Sequence, residues 1–476
     1  MGERHNEGTN RLNPTKLSGG EMRERTSTTL TGSGTIRQGR TPRRPVAPIL
    51  WALTGLFLVT TAACDFNVTN PGPVADEFLD DQGAHDAIVT GASAMLSESL
   101  WKAQLLGGET TLEITRTGRN FAGQGIKTPP NLGVLARDRG LSAAYWSAHQ
   151  QARWIPESAV ARFDEILGGE SNSYEFTARA LVKAGFGNRI LGESVCTAVI
   201  DGSGPQENRA YWERAEATFT RALEVSQAAG EPQLAMAARA GLAQVLGRGL
   251  GRWADAVSHA SQVPTDFTHQ AIFGDGDVPE FNHMVYITDG DSWRDLTVLN
   301  SFAEDYYLNT GDPRVRWEDT GRTDTPDGLR LLRQRKWTQL SDNVNLASGR
   351  EMRLIEAEAL LEQGQWQAAM DLINGLREGL TSDHDGTPIP MAEASSLEEA
   401  WTALKFERRV ELWLEGRRMG DTRRWIEEDT PGDMEDLSWV MRLCVPISQG
   451  EVDNNPNIPQ DWVDPANPLF TGSVDR

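Results

Sequence analysis

From Asp80 onward the apolar residues recur at intervals of three and four, with alanine and glycine set among them. A chain patterned this way buries one stripe per helix, whereas a half-buried strand needs alternation at every second residue. Ala84–Trp101 carries Ala87, Ile88, Ala92, Met95, Leu96 and Leu100 on such a stripe. Leu141–Leu167 carries Ala144, Tyr145, Ala148, Ala152, Ile155, Ala159, Phe163 and Ile166. Pro156 inside it predicts a break or kink, because proline has no N–H to bond the carbonyl four residues back. Tyr174–Val199 predicts a third helix.

Shorter amphipathic segments follow in pairs. Tyr211–Ala229 is stopped by Gly230 and Pro232, and Gln233–Gly247 and Trp253–Ser261 come after it; later, Glu351–Gly364 precedes Gln367–Gly379. Helix–Gly–helix with alanines at the contact lets backbones approach, as in tetratricopeptide hairpins, although the Trp-x-x-Leu-Gly-x-x-Tyr signature is absent. The expected fold is mostly all-α, with divergent tetratricopeptide-like pairs within about 80–263 and 349–426. A generic helical bundle fits the same periodicity. Residues 102–140 and 264–348 are rich in Gly, Asp, Asn, Thr and Pro and predict long irregular loops, where function tends to concentrate.

The front of the chain is different material. Nine bases against four acids make residues 1–63 +5, which leaves −27 for residues 64–476 of a chain whose net charge is −22. That acidity argues against a general nucleic-acid binder. Residues 1–42 have no apolar period and read as disordered. Arg43 and Arg44 then precede the apolar run Ile49–Val59, too short for a bilayer span and matched to the core of an export signal. Thr60-Thr61-Ala62-Ala63-Cys64 reads as a lipobox, with Thr61 where an aliphatic residue is usual. Cleavage before Cys64 would make it a lipidated N-terminus, and several acyl chains anchor stably. An ordinary secreted protein cut after Ala63 is the alternative.

Three cysteines exclude a disulfide scaffold. Cys196 falls in an apolar helix and is expected buried and free; a bond to Cys444 is compatible with an exported protein, but spacing does not decide it.

Phe406–Trp425 (FERRVELWLEGRRMGDTRRW) concentrates charge. Glu407, Glu411 and Glu415 are spaced to share a helix face and would repel each other if unpaired. Arg408, Arg418, Asp421 and Arg424 surround them, so the segment predicts an ion-pair lattice locking this helix to the next. A glycosidase pair among the three glutamates is the enzymatic alternative, and a stripe facing one way on one helix makes a poor cleft for it. Asp275-Gly276-Asp277 with Glu280 offers oxygens to Ca²⁺ but lacks EF-hand spacing. Asp383-His384-Asp385 reads as a turn rather than a metal site. No nucleophile elbow or HExxH motif appears, and no metal or cofactor is expected.

Four motifs together resemble the SusD/RagB family of outer-membrane nutrient-binding lipoproteins. Cys64 is followed by Asn70-Pro71-Gly72-Pro73 and Phe78-Leu79. Met352–Arg377 is similar to that family's helix pair, including Ile373-Asn374-x-x-Arg377. Phe406–Trp425 is similar to its "E-R-x-x-E-L-x-x-E-G-x-R-x-x-D-x-x-R-W". Pro446-Ile447, Glu451, Asn455-Pro456-Asn457 and Gln460 resemble its closing motif, with Ser448 where proline is common.

The resemblance implies a single SusD-like domain over 64–476, lipid-anchored at Cys64 in the outer membrane and facing outward. It further implies a non-catalytic protein that captures an oligosaccharide, less often a peptide, and delivers it to a SusC-like TonB-dependent transporter. Sugar capture uses aromatic faces with polar partners for hydroxyls. Within the loop-rich 264–348 region, Trp293, Tyr306, Tyr307, Trp317 and Trp337 fit that need, with Trp101 outside it and Asp291, Arg294, Asn300 and Arg316 as polar company. Trp293, Tyr307 and Trp317 rank first. A tetratricopeptide-type protein-binding adaptor is the rival reading, and a surface glycosidase a weaker one.

Overall fold

Phe219 shows how the small residues of the helical half are used. Its ring lies where a Cβ on Gly185 or on Gly241 would sit, 2.5 and 2.4 Å from ring carbons, so helices on both sides close onto it only through glycine. In the computed structural model, residues 76–116, 140–275, 281–289, 296–323, 328–437, 440 and 442–465 are described. All fall within one compact unit, Pro73–Arg476. Cys64 and the leader lie outside the described residues.

A 3₁₀ turn, Asp76–Asp80, opens this part and is tied down by Arg162, which bonds both aspartates. Helix α1 (Gln82–Thr110) and strand β1 (Thr115–Arg116) follow, then α2 (Gly140–Leu167), α3 (Glu175–Ser194), β2 (Thr197–Ala198), β3 (Gln206–Glu207), α4 (Arg209–Ala228), α5 (Pro232–Gln244) and α6 (Trp253–Ala260). Successive helices from α1 to α6 pack as neighbours. The middle of the chain holds β4 (Thr268–Ala271), α7 (His283–Asp289), β5 (Leu296–Thr297), α8 (Phe302–Thr310), β6 (Trp317–Thr323), β7 (Arg330–Gln334) and β8 (Val344–Ser348). Helices α9 (Gly349–Glu362), α10 (Trp366–Arg377), α11 (Leu397–Glu411), α12 (Arg418–Glu427) and α13 (Gln449–Asn454) complete it. Among the described residues the strands form four antiparallel pairs, β1–β5, β2–β3, β4–β8 and β6–β7, and the fold is mostly α.

One large core runs through α1 to α6 and the strands; a second, built on Leu354, Leu361, Ile373, Trp401, Leu404 and Trp425, joins α9, α10, α11 and α12. Serine caps mark several starts. Ser348, Ser396 and Ser448 accept from the backbone N–H three residues on, satisfying donors at the first turns of α9, α11 and α13. Ser448 does so at the position where the resembling family often carries proline.

The structure corrects several expectations. Helix α1 continues nine residues past Trp101 into the stretch read as a loop, burying Ala103, Leu105 and Leu106. Pro156 does not divide α2, which runs through it as one helix. The carbonyl that this proline leaves without a helical donor belongs to Ala152, and Gly187 of α3 backs onto that same atom: a Cβ there would lie 2.4 Å from it. The described residues of 264–348 are not simply loop; they hold five short strands, two α-helices and a 3₁₀ turn. Their strands are brief and, apart from the neighbouring pair β6–β7, matched with segments far off in sequence, so they show no period.

Cys196 is not free. It is bonded to Cys444. Helix α3 ends before it, and Val195 pairs in parallel with Val445, bringing two segments 248 residues apart side by side. Among the described residues no helix is long and apolar enough to cross a membrane.

Candidate ligand site

Helix α8 ends at Gly311, whose left-handed backbone (φ 65°) lets its N–H reach the Tyr307 carbonyl at 2.7 Å. Asp312 then accepts from the Arg314 N–H, starting a short 3₁₀ turn, and β6 begins at Trp317. This tight corner gathers Tyr306, Tyr307, Arg316 and Trp317.

The two tyrosines diverge. Tyr306 packs edge-on against Phe406 of α11, with ring centroids 5.0 Å apart, and its hydroxyl donates to Asp312. It belongs to the frame. Tyr307 faces outward, half-buried. Its ring meets Trp317 at 5.8 Å and His384 at 5.1 Å, and its hydroxyl donates to Asp383 Oδ2 at 3.1 Å. Arg316 donates twice to Asp383, at 2.5 and 2.6 Å, and the Trp317 indole N–H donates to the Ala303 carbonyl at 3.1 Å. Leu308, more than half exposed, sits next to Tyr307 on α8.

The electrostatics follow from these contacts. Arg316 holds the Asp383 carboxyl below its ordinary range, and burial with Asp383 beside it pushes the Tyr307 hydroxyl up. Asp383 is thus ionised and occupied at neutral pH, suited to accepting hydrogen bonds rather than delivering protons. The site presents aromatic edges and faces, a fixed guanidinium–carboxylate pair and a phenol: a surface for holding a polar ligand with an apolar side.

Asp383 and His384 come from a turn closed by a bridge between Thr381 and Pro388, and nothing in the spacing ties that turn to Tyr307. The His384 ring lies 2.7 Å from the Tyr307 carbonyl oxygen through Nε2, and the Asp383 N–H donates to Gly311. Trp101 has other neighbours. It stacks at 3.7 Å on His283, which stacks in turn on Phe281; burial, then Lys102, brings His283 down to about 4. Trp337 is buried in the core. Trp293, Asp291 and Arg294 lie outside the described residues, as do Gly276, Asp277 and Glu280. Among the described residues no group of three His, Cys, Asp or Glu could hold a metal ion.

The charged motif lies behind this corner. Glu407 pairs with Arg314 at 2.5 Å and Arg377 at 2.6 Å, while Glu411 pairs with Arg314 and Arg350. Arg314, two residues before Arg316, therefore anchors the candidate corner onto α11. Glu415 does not share that helix face: α11 ends at Glu411, Leu414 (φ 59°) and Gly416 (φ 74°) turn the chain, and Glu415 pairs with Lys336. Arg408 reaches Asp421 of α12, but Arg418 turns to Glu435 and Arg424 to Glu358. The lattice thus ties α11 and α12 to several other parts of the chain, not only to each other. Glu407 is buried, Glu411 is nearly so, and both are ion-paired, which leaves no room for a scissile bond between them.

The SusD family model matches residues 350–462, the segment that holds this lattice. The chain also superposes on a SusD superfamily protein from Bacteroides vulgatus (TM-score 0.58, 15% identity, 82% of this chain and 99% of that one) and on another from Bacteroides thetaiotaomicron (TM-score 0.60, 16% identity, 81% and 99%).

Residues 350–462 thus match the SusD family, and the chain shares the fold of SusD superfamily proteins.

A SusD-like carbohydrate binding protein from Bacteroides vulgatus shares the fold over 72% of this chain and 83% of its own, with TM-score 0.50 and 14% identity. No curated protein matches the chain. The matched segment carries the buried ion pairs of the frame. Tyr307, Arg316 and Trp317 lie before it, and only Asp383 and His384 of the corner lie inside it.

Proposed function

We propose that this chain is a cell-surface lipoprotein that binds an oligosaccharide and delivers it to a SusC-like TonB-dependent transporter, breaking no bond. Cys64 is its lipid anchor in the outer membrane, with the acidic body facing outward. The observation that carries the binding role is the half-buried pairing of Tyr307 and Trp317 beside the Arg316–Asp383 fork. An aromatic face takes the C–H side of a pyranose, and the fork and phenol take its hydroxyls. The carbohydrate-binding relative supports the same ligand class.

The test is calorimetric titration of the exported chain, in detergent, against short oligosaccharides. Tyr307→Ala is expected to weaken binding about tenfold, about 1.4 kcal/mol. Native circular dichroism with unchanged affinity would remove the corner from the site, and a ligand-free result across a broad glycan and peptide panel would favour the protein-binding adaptor. Radiolabelled palmitate should enter the wild-type chain and not Cys64→Ala. A large barrel should co-purify from membranes.

A further inference from the structure

A second cleft lies away from the Tyr307 corner and shares none of its residues. It opens between α2, the turn after β2 and the start of α13, a largely open groove of about 770 Å³. Trp154 of α2 lines it and is 56% exposed, although most of the large apolar side chains in this protein are covered. Its indole face is open to the cleft and available for stacking.

The polar lining is mostly amide, carboxylate and hydroxyl. Gln151, Asp201, Glu451 and Asn454 offer amide and carboxylate groups around the indole. Arg153 is the cation of the lining, and it is already paired with Glu157 and Asp201, both at 2.9 Å. A cleft whose cation is spent and whose remaining charge is acidic disfavours an anionic ligand. Apolar face plus amides and carboxylates suits a neutral polyol ring.

The cleft is also preformed. The Cys196–Cys444 disulfide and the Val195–Val445 bridge hold the strand before one wall to the strand before the other. Asn455 donates to the Ser203 carbonyl at 2.9 Å, Asn457 to Gly202 at 2.8 Å, and Gln150 of α2 to Val199 at 3.3 Å. All three walls are thus locked together before any ligand arrives, which removes the ordering cost of binding.

We propose that this cleft is a second saccharide site, in which a neutral sugar ring stacks on Trp154 and is hydrogen-bonded by Gln151, Glu451 and Asn454. The proposal rests on the oligosaccharide-binding reading above, and its failure can be told apart from the failure of that reading. The exported chain in detergent is titrated calorimetrically with short neutral α- and β-glucan, xylan and mannan oligosaccharides. Trp154→Ala, at an exposed position, should keep the native circular dichroism spectrum and weaken one binding step about tenfold. Trp154→Phe should recover part of it, and Tyr307→Ala should weaken a different step. If a saccharide binds and Trp154→Ala matches wild type in affinity and stoichiometry, the cleft proposal falls while the functional reading stands. Loss of one and the same step in both alanine variants would also overturn it. If no saccharide binds wild type, both readings fall.

Discussion

Cys196, just beyond the end of α3, is disulfide-bonded to Cys444, and the parallel pairing of Val195 with Val445 lies beside the bond. The loop it closes spans 248 residues, so in the chain-entropy account the cross-link stabilises the fold by up to about 5 kcal/mol. Thiol titration of the unreduced, denatured chain should find neither cysteine free. Dithiothreitol should lower the thermal midpoint; an unchanged midpoint after complete reduction would show that the packing of Val195 and Val445 holds the strands without the bond.

Glu407 is fully buried between Arg314 and Arg377. Glu407→Ala leaves Arg377 near-buried without its carboxylate and strips Arg314 of one of its three, and should cost about 3–5 kcal/mol. Urea unfolding reads this directly. Because Arg314 also anchors the corner that carries Arg316 and Trp317, the same variant should weaken ligand binding even under conditions where it remains folded. Wild-type affinity in the folded variant would uncouple the lattice from the site.

Stability should decline on both sides of mildly acidic pH. Burial raises the Glu411 carboxyl, but Arg350 and Arg314 outweigh it and bring it down to about 2, from an ordinary 4.5. Asp421 is lowered in the same way, by Arg248, Arg408 and Arg424 against burial. A depressed carboxylate contributes stability that is complete above its unfolded value and is lost as pH falls through the folded one. Glu113 is the opposite case: burial, only partly opposed by Arg418, Arg409 and Lys336, raises it to about 7. Its contribution is complete below about 4.5 and lost as pH rises through about 7. Urea midpoints against pH should show both limbs. Glu113→Gln should flatten the neutral limb and leave the acid limb in place.

Gly187 and Gly91 should respond oppositely to alanine. At Gly187 the new methyl would meet the Ala152 carbonyl at 2.4 Å, and separating α2 from α3 should cost about 1–3 kcal/mol. At Gly91, on the exposed side of α1, nothing lies within 4 Å, and alanine should stabilise the helix by about 0.5–1 kcal/mol. Equal effects in thermal unfolding would mean that the contact at Ala152 yields without resistance.

Much of the helical frame was legible because its signals are local. The apolar stripes placed α2, α4, α5, α6, α9 and α10 to within a few residues, since a helix is specified by neighbours three and four apart. The motif Phe406–Trp425 announced paired charges for the same reason: so many acids and bases in one buried segment need partners. Its partners were not legible. Arg314, Arg350, Lys336, Glu358 and Glu435 are supplied by other stretches, and no spacing rule points to them.

The ligand corner divides the same way. Tyr307, Arg316 and Trp317 stood out as polar and aromatic residues in a stretch without helical period, but Tyr306 looked identical beside them and turned inward onto Phe406. Asp383 and His384 are contributed by a turn 76 and 77 residues further on. Trp154, on a helix, carried no mark distinguishing it from Trp146, which is buried.

The sequence by itself determined the helices, the small residues through which they pack, the need for an ion-pair lattice and the family resemblance, all set by residues within a turn or two of one another. Only the tertiary structure decided that Cys196 meets Cys444, that Asp383 closes on Arg316 and that Trp154 stays open. Those pairings join segments tens to hundreds of residues apart, and they form because the packed helices bring the segments together.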